Sequence, residues 1–361
     1  MIPGDWAQRS SEAVARLTRA GGRRSVIFTA LVAIVVLGAT TSSAMIVQES
    51  ASLALAPASC APAAMGALTP PRPSRTAQPG RGIPFGPPKL PREAFGKVFT
   101  ATKLALAPES VVSTLTEARA NATRVFIILA GPQRYYRNPD GTFNLNLWKA
   151  RISRFRGVDF REFVRDGTII AHQLVSEAKA RGQWGGKVIP NNVLDEMARF
   201  SEEIWPTMAT VLRTDPSDLE AHGASFQDSW PCWRWRYLDA ASARFLTRKG
   251  DVERFAADQQ ASADRQHLAL VVGLNVFSGG DGSSKVPSPA AGKWAMSADE
   301  LRSYGADLLR LTRACAFELW RYETPGSAFE DFYYFRRPDI TAAMVELAAL
   351  AAQRPARSCR T

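Results

Sequence analysis

The strongest constraint on the fold is a repeated alternation, from Phe95 onward, of short apolar runs with longer segments of helical periodicity. Several runs are rich in β-branched residues and apolar at nearly every position, which is typical of strands buried on both faces. Seven such strands are predicted, of which the first is Gly96–Ala101 and the fifth is Tyr237–Ser242. The predicted helices include Asn191–Ile204, which ends before Pro206, and one that begins with a capping pattern of Ser297 and Glu300. Strands in strict alternation with helices form a parallel sheet covered by helices.

Length and one missing motif favour a closed barrel over an open sheet. Residues 95–361 number 267, which is near the usual size of a (β/α)8 barrel. An open nucleotide-binding sheet carries G-x-G-x-x-G after its first strand, and neither Gly96–Lys103 nor Phe126–Gln133 contains it. We therefore predict an α/β fold of the (β/α)8 TIM type over 95–361. An eighth strand is not evident, and Phe329–Phe335 is one candidate for it.

The N-terminus has the pattern of an export signal. Arg23 and Arg24 precede an apolar run from Val26 to Ala39, and small residues follow with a Ser42-x-Ala44 cleavage pattern. We predict a signal peptide over 1–44 and a protein exported to the periplasm or the cell exterior. The alternative is an uncleaved membrane anchor, because the run extended to residue 44 approaches the roughly 20 residues that span a bilayer.

Residues 45–94 are predicted to be a Pro- and Gly-rich linker, since Pro57–Pro91 holds ten of the 23 prolines. The net charge is +11, of which residues 1–94 carry +6. The predicted barrel is thus only mildly basic and has no RNA-binding aromatic motif, so a nucleic-acid partner is not expected. The three histidines form no H-E-x-x-H motif and the four cysteines no C-x-x-C pair, so no metal and no cofactor are expected.

In barrels of this class, chemistry takes place where the strands end at their C-terminal side. Glycoside cleavage needs two carboxyl groups on either side of one bond. The candidates for these groups are Glu177 and Glu318, with Asp239 in reserve. Amide, imidazole, guanidinium and indole groups suit the hydroxyls and the apolar face of a sugar. The candidate substrate-binding residues are His172, Arg213, Asn275 and Trp320.

Each candidate also has a purely structural interpretation. Glu177 would then pair in solvent with Lys179 or Arg181, and His172 would be a hydrogen-bonded core histidine. Asn275 would cap a turn into the Gly-rich loop that follows. The remaining alternatives are an ion pair of Arg213 with Asp215 or Asp239 at the rim, and a packing role for Trp320.

Four segments together resemble a group of uncharacterised exported bacterial proteins with a glycosidase-like (β/α)8 barrel. They are DGTIIAHQLVSEAKARGQWGG, VLDEMARFSEEIWPTMATVLR, VVGLNVFSGGDG and CAFELWRYE. Related barrels tend to carry Asp-Glu-Pro after the third strand, where this chain has Ser176-Glu177-Ala178. The fifth predicted strand keeps Asp239 but offers Ala240 and Ser242 where aromatic residues are expected. Both departures favour a barrel that binds without catalysis.

The cysteines predict one disulfide. Cys315 opens the last predicted strand and Cys359 follows the last helix, so both belong at the end of the barrel where strands begin. We predict a bridge between them, as an oxidising compartment permits. Cys60 and Cys232 are then free or paired elsewhere.

The sequence predicts an exported, carbohydrate-active TIM barrel that acts as a glycoside hydrolase through a carboxylate pair. The alternative is a non-catalytic barrel that uses the same rim to bind a glycan or a protein partner in the cell envelope.

Overall fold

The computed structural model describes residues 82–220, 235–288, 292–311, 313–320 and 337–361. Several sequence predictions concern other residues: the signal or anchor segment 1–44, most of the linker, Cys60, Cys232 and the candidate strand at 329–335. Among the described residues, no helix combines the length and the apolar character needed to cross a membrane.

Eight parallel strands with helices between them lie along these ranges, which confirms the predicted (β/α)8 architecture; the helix between the first two strands is a single 3-10 turn, Arg92–Ala94. The strands are β1 (Phe85–Gly86), β2 (Ala101–Ala105), β3 (Arg124–Ile128), β4 (Ile169–Ser176), β5 (Thr210–Arg213), β6 (Ala240–Phe245), β7 (Ala269–Asn275) and β8 (Ala314–Trp320). The α-helices are α1 (Val111–Ala120), α2 (Leu145–Ser153), α3 (Arg161–Arg165), α4 (Asn191–Ile204), α5 (Pro216–Glu220), α6 (Val252–Gln266), α7 (Ala298–Leu309) and α8 (Pro338–Gln353).

All strand pairs are parallel and follow the chain order, with β1 beside β8, so the sheet curls into a nearly closed ring. No regular ladder joins β1 to β2. Instead, the Thr100 N–H donates to Phe85 O, the Lys89 N–H donates to Lys103 O, and Pro88 forms a parallel bridge with Lys103. These contacts close the gap between the first and second strands.

The strand that the sequence did not reveal is the first one. The predicted first strand, Gly96–Ala101, shares only Ala101 with β2, and β1 precedes both, within the stretch predicted to be linker up to residue 94. Phe85 is fully buried and pairs with Phe317 of β8. The predicted linker boundary at residue 94 is therefore too late, because the chain joins the barrel before β1.

The barrel interior differs from the core between strands and helices. It holds a separate cluster of small and medium apolar side chains, among them Ala171, Val211, Ala240, Val271 and Ala316. Since side chains alternate along a strand, residues two or four positions further on point inward as well. Above the apolar cluster, toward the C-terminal ends of the strands, these inward residues are Gln173, Arg213, Arg244, Gly273 and Glu318.

The predicted disulfide is present. Cys315 in β8 is bonded to Cys359 in the C-terminal tail, with their Cα atoms 5.2 Å apart. Both cysteines belong to the apolar cluster at the end of the barrel where the strands begin. The bond ties the C-terminal tail to the last strand.

Local sequence signals account for several helix boundaries. Asn144 caps α2 by accepting a hydrogen bond from the Leu147 N–H, and Ser297 and Glu300 form the predicted capping box at the start of α7. α4 spans the predicted residues, with Pro190 before it and Pro206 soon after it.

Candidate functional site

A buried ion pair lies inside the C-terminal half of the barrel. Lys103 Nζ of β2 is 2.5 Å from Glu318 Oε2 of β8, and the two side chains are 6% and 8% exposed. Glu318 also pairs in register with Gly86 of β1 and Gly273 of β7. A Cβ atom on Gly273 would lie 2.1 Å from the Glu318 carbonyl oxygen, so glycine lets the two strands approach here.

Glu177 is held in place by its backbone, directly after β4. It has a φ of 54°, in the left-handed region that non-glycine residues seldom adopt. Its N–H donates to Arg213 O at 2.7 Å, and its carbonyl accepts from the indole N–H of Trp184 at 3.0 Å. A backbone that is strained and fixed at this point determines where the carboxylate lies.

The Glu177 carboxylate meets two arginines at the rim. Its Oε1 is 3.1 Å from Arg213 Nη2 of β5 and 3.6 Å from Arg244 Nη2 of β6. Both guanidinium groups also lie over the indole ring of Trp320, with Cζ 4.5 and 4.7 Å from its centroid. The alternative partners of Glu177 are engaged with the backbone, since Lys179 donates to Ile189 O and Arg181 to Gly186 O.

The six residues Lys103, Glu177, Arg213, Arg244, Glu318 and Trp320 form one group, called the mouth cluster below. Burial lowers the pKa of Lys103, and the charge of Arg213 acts in the same direction, whereas the charges of Glu318 and Glu177 raise it. One lysine thus feels the charges of both carboxylates and one of the arginines. The cluster is therefore a single electrostatic unit at the barrel mouth.

Three atoms of the mouth cluster are buried without a hydrogen-bond partner in the described structure. They are Arg213 Nε, Arg244 Nη1 and Glu318 Oε1. A buried donor or acceptor that is left unpaired costs about 1–3 kcal/mol, and more when it is charged. These atoms therefore mark positions where a ligand or water gains hydrogen bonds.

Two amides flank the mouth cluster. Asn275 is the last residue of β7 and pairs in register with Trp320, and its Oδ1 accepts from the N–H and hydroxyl of Ser278. It caps the turn that follows, which was its structural alternative. Gln173 points into the barrel from β4 and donates to Ser176 Oγ at 2.9 Å.

His172 lies elsewhere, and its prediction as a substrate-binding residue is wrong. Its side chain leaves β4 on the outer face, where Nδ1 is 2.8 Å from Ser201 Oγ of α4 and the ring stacks on Trp148 of α2. Burial lowers the pKa of the imidazole to about 3. His172 is a neutral core residue between the sheet and the helices.

Asp239 also lies away from the mouth, so its predicted place as a reserve catalytic carboxylate is wrong. It precedes β6, at the end of the barrel where strands begin. Its Oδ2 accepts from the Thr210 N–H at 2.8 Å and from the Thr210 hydroxyl at 3.1 Å, and its carbonyl accepts from Thr361. The carboxylate joins the starts of β5 and β6.

Lys103 and Arg244 belong to the mouth cluster but were missed in the sequence. Lys103 follows the predicted first strand, and Arg244 follows the predicted fifth strand, which ends at Ser242. Each is a cation within an apolar strand, Ala101–Ala105 or Ala240–Phe245. Long side chains at inward strand positions were the signal that could have revealed both.

Within the described residues, no group of three or more His, Cys, Asp or Glu is arranged to hold a metal ion.

No protein-family model and no curated protein matches the chain. Solved structures with a similar fold include a GH10 endoxylanase from a sugarcane soil metagenome, with 9% identity, a TM-score of 0.46, and 74% of this chain and 97% of that one covered. Xylanase 10C of Cellvibrio japonicus in complex with xylopentaose has 10% identity and a TM-score of 0.46, covering 77% of this chain and 69% of that one. A D-psicose 3-epimerase has 12% identity and a TM-score of 0.42, covering 74% and 96%. The TM-scores are below 0.5, so the barrel assignment depends on the strand order and register described above.

Proposed function

We propose that the mouth cluster is a carbohydrate-binding site and that the barrel binds its ligand without cleaving it. The observation that carries the proposal is the convergence of Glu177, Glu318 and Trp320 with two arginines on one barrel mouth. Carboxylates and guanidinium groups bind sugar hydroxyls, and an indole ring offers an apolar surface to a pyranose.

The ion pairs favour binding over hydrolysis. A glycosidase needs one carboxyl group that donates a proton and a second carboxylate that is free to act as nucleophile or base. Here Lys103 holds Glu318, and Arg213 and Arg244 hold Glu177. Both carboxylates are engaged by cations, which suits positioning and charge balance.

Hydrolysis through Glu177 and Glu318 remains the second candidate. It is favoured by one observation: the two carboxylates come from β4 and β8 and face the same mouth, as two-carboxylate cleavage requires. The reserve carboxylate Asp239 has no part in either candidate.

Export is also proposed. The bridge between Cys315 and Cys359 supports it, because disulfides persist in oxidising compartments. The signal-like sequence at residues 1–44 supports it independently.

The test is a screen of the full chain against polysaccharides and aryl glycosides, measuring binding and sugar release separately. We expect binding without release, and at least a tenfold weaker affinity for Trp320→Ala. Sugar release that disappears in Glu177→Gln would replace the proposal with the second candidate. Absence of binding to every carbohydrate would overturn both.

A further inference from the structure

The mouth cluster itself has more cations than anions. Lys103, Arg213 and Arg244 face two carboxylates, Glu177 and Glu318. Because screening is weak in a confined, water-poor site, one uncompensated charge there attracts an anion strongly.

Arg213 and Arg244 supply this excess, since Glu177 alone does not satisfy them. Its Oε1 approaches one nitrogen of each guanidinium group, at 3.1 and 3.6 Å. Arg213 Nε and Arg244 Nη1 are buried and lack a partner. The side chains are only 12% and 17% exposed, so bulk water does little to replace the missing acceptors.

The third unpaired atom needs a hydrogen-bond donor instead of an acceptor. Glu318 Oε1 is a buried acceptor, while the other oxygen of the same carboxylate is held by Lys103. A sugar hydroxyl is a donor of the right kind. A ligand that satisfies these atoms therefore has anionic acceptor atoms at the arginines and a hydroxyl donor at Glu318.

We propose that the carbohydrate bound at the mouth cluster is acidic, with an oxyanion against Arg213 and Arg244 and a ring hydroxyl donating to Glu318. This inference rests on the proposed function. Each arginine offers one unpartnered N–H group, and the oxygen atoms of a carboxylate or sulfate can accept a charge-assisted hydrogen bond from each of them. The oxyanion is a uronate carboxylate or a sulfate ester, which share this chemistry.

The experiment measures affinity by titration calorimetry for matched pairs of polysaccharides with the full chain. Glucuronoxylan is compared with unsubstituted xylan, and sulfated galactan with neutral galactan. We expect at least tenfold tighter binding to the acidic member of one pair, with an affinity that falls as salt rises from 50 to 500 mM. The pair that shows the preference identifies the oxyanion.

Substitutions of the two arginines test whether they cause the preference for acidic polymers. Arg213→Gln and Arg244→Gln should each lose more affinity for the acidic polymer than for the neutral one, so that the ratio of the two affinities falls at least tenfold. Arg213→Lys, which keeps the charge but loses the two-pronged geometry, should fall between wild type and Arg213→Gln, and serves if the glutamine variant does not fold. The matched control is Arg357→Gln, which removes an exposed arginine from a cavity of about 310 Å3 at the opposite end of the barrel.

The outcomes separate the two proposals. Equal binding of acidic and neutral polymers, or acid binding that depends on Arg357 instead of Arg213 and Arg244, would overturn the acidic-ligand inference and leave carbohydrate binding standing. Failure to bind any of the four polymers, together with a negative general screen, would overturn the proposed function itself.

Discussion

Lys103 and Glu318 form an ion pair between the second and last strands, 2.5 Å apart and almost completely enclosed by the barrel. On β8, Glu318 lies two residues beyond Ala316 of the apolar cluster, toward the C-terminal end of the strand. The pair therefore joins β2 to β8 next to the apolar interior of the barrel.

Removing one partner of this pair should destabilise the folded protein. We expect Glu318→Leu to lower the free energy of unfolding by about 3–5 kcal/mol, because it leaves the Lys103 ammonium buried without its counter-charge. The double variant Lys103→Met with Glu318→Leu should recover most of the loss, since it leaves no buried charge. Urea denaturation of the two single variants and the double variant measures the coupling. A double variant as unstable as the sum of the single ones would show that the charges are not coupled.

The bridge between Cys315 and Cys359 closes a loop with a sequence separation of 44 residues. We expect the double variant with alanine at both positions to lose about 4 kcal/mol of stability, chiefly through the greater freedom of the unfolded chain. Thermal and chemical denaturation of wild type under reducing and non-reducing conditions should reproduce this difference. A change below about 1 kcal/mol would mean that the bond adds little to the fold.

Asp239 should matter for stability and not for binding. We expect Asp239→Ala to cost about 1–3 kcal/mol, because the Thr210 N–H loses its acceptor at a buried position. Carbohydrate affinity should stay within twofold of wild type once the folded fraction is taken into account. A large loss of affinity in a folded Asp239→Ala protein would restore this residue to the site.

His172 should make stability depend on pH. Its pKa is about 3 in the folded protein and near 6.5 in an unfolded chain, so the unfolded state binds more protons as the pH falls below 6.5. Stability is thus lost between pH 6.5 and pH 3, by about 2 kcal/mol from this residue between pH 7 and pH 5.

The control for this effect is His172→Gln, which cannot take up the proton. We expect the variant to be less stable at pH 7, because the contact with Ser201 changes, but to lose less stability than wild type on going to pH 5. Denaturant titrations of both proteins at the two pH values give the comparison. Parallel losses would show that His172 does not titrate on unfolding.

Sequence patterns predicted the layout of the barrel where the signals were local. The bounds of α4 follow from its apolar spacing and its flanking prolines, and the start of α7 follows from Ser297 and Glu300. The disulfide followed from topology, because the start of the last strand and the end of the last helix lie at the same end of a barrel. For the two helices, neighbouring residues carry enough information, whereas the disulfide required the order of the elements in a barrel.

β1 could not be predicted in this way. It contains two residues between prolines, and its stability comes from pairing with β8, more than 200 residues further along the chain. No local periodicity marks such a strand.

Errors in strand boundaries account for the site residues that were misplaced. The fifth predicted strand is Tyr237–Ser242, whereas β6 spans Ala240–Phe245. Because of this shift of three residues, Asp239 was expected at the mouth but lies at the opposite end of the barrel, and Arg244 fell beyond the end of the predicted strand. The prediction for His172 was wrong for a different reason. Strands buried on both faces show no polar alternation, so the sequence does not tell which side chains point into the barrel.

The most direct test of acidic-carbohydrate binding at the mouth cluster is a crystal structure of the full chain with an oligosaccharide from glucuronoxylan. We expect a sugar in the mouth cluster, with its carboxylate within hydrogen-bond distance of Arg213 and Arg244 and a hydroxyl donating to Glu318. A ligand bound at the opposite end of the barrel, or a mouth filled by the protein's own residues in crystals that hold the ligand elsewhere, would contradict it.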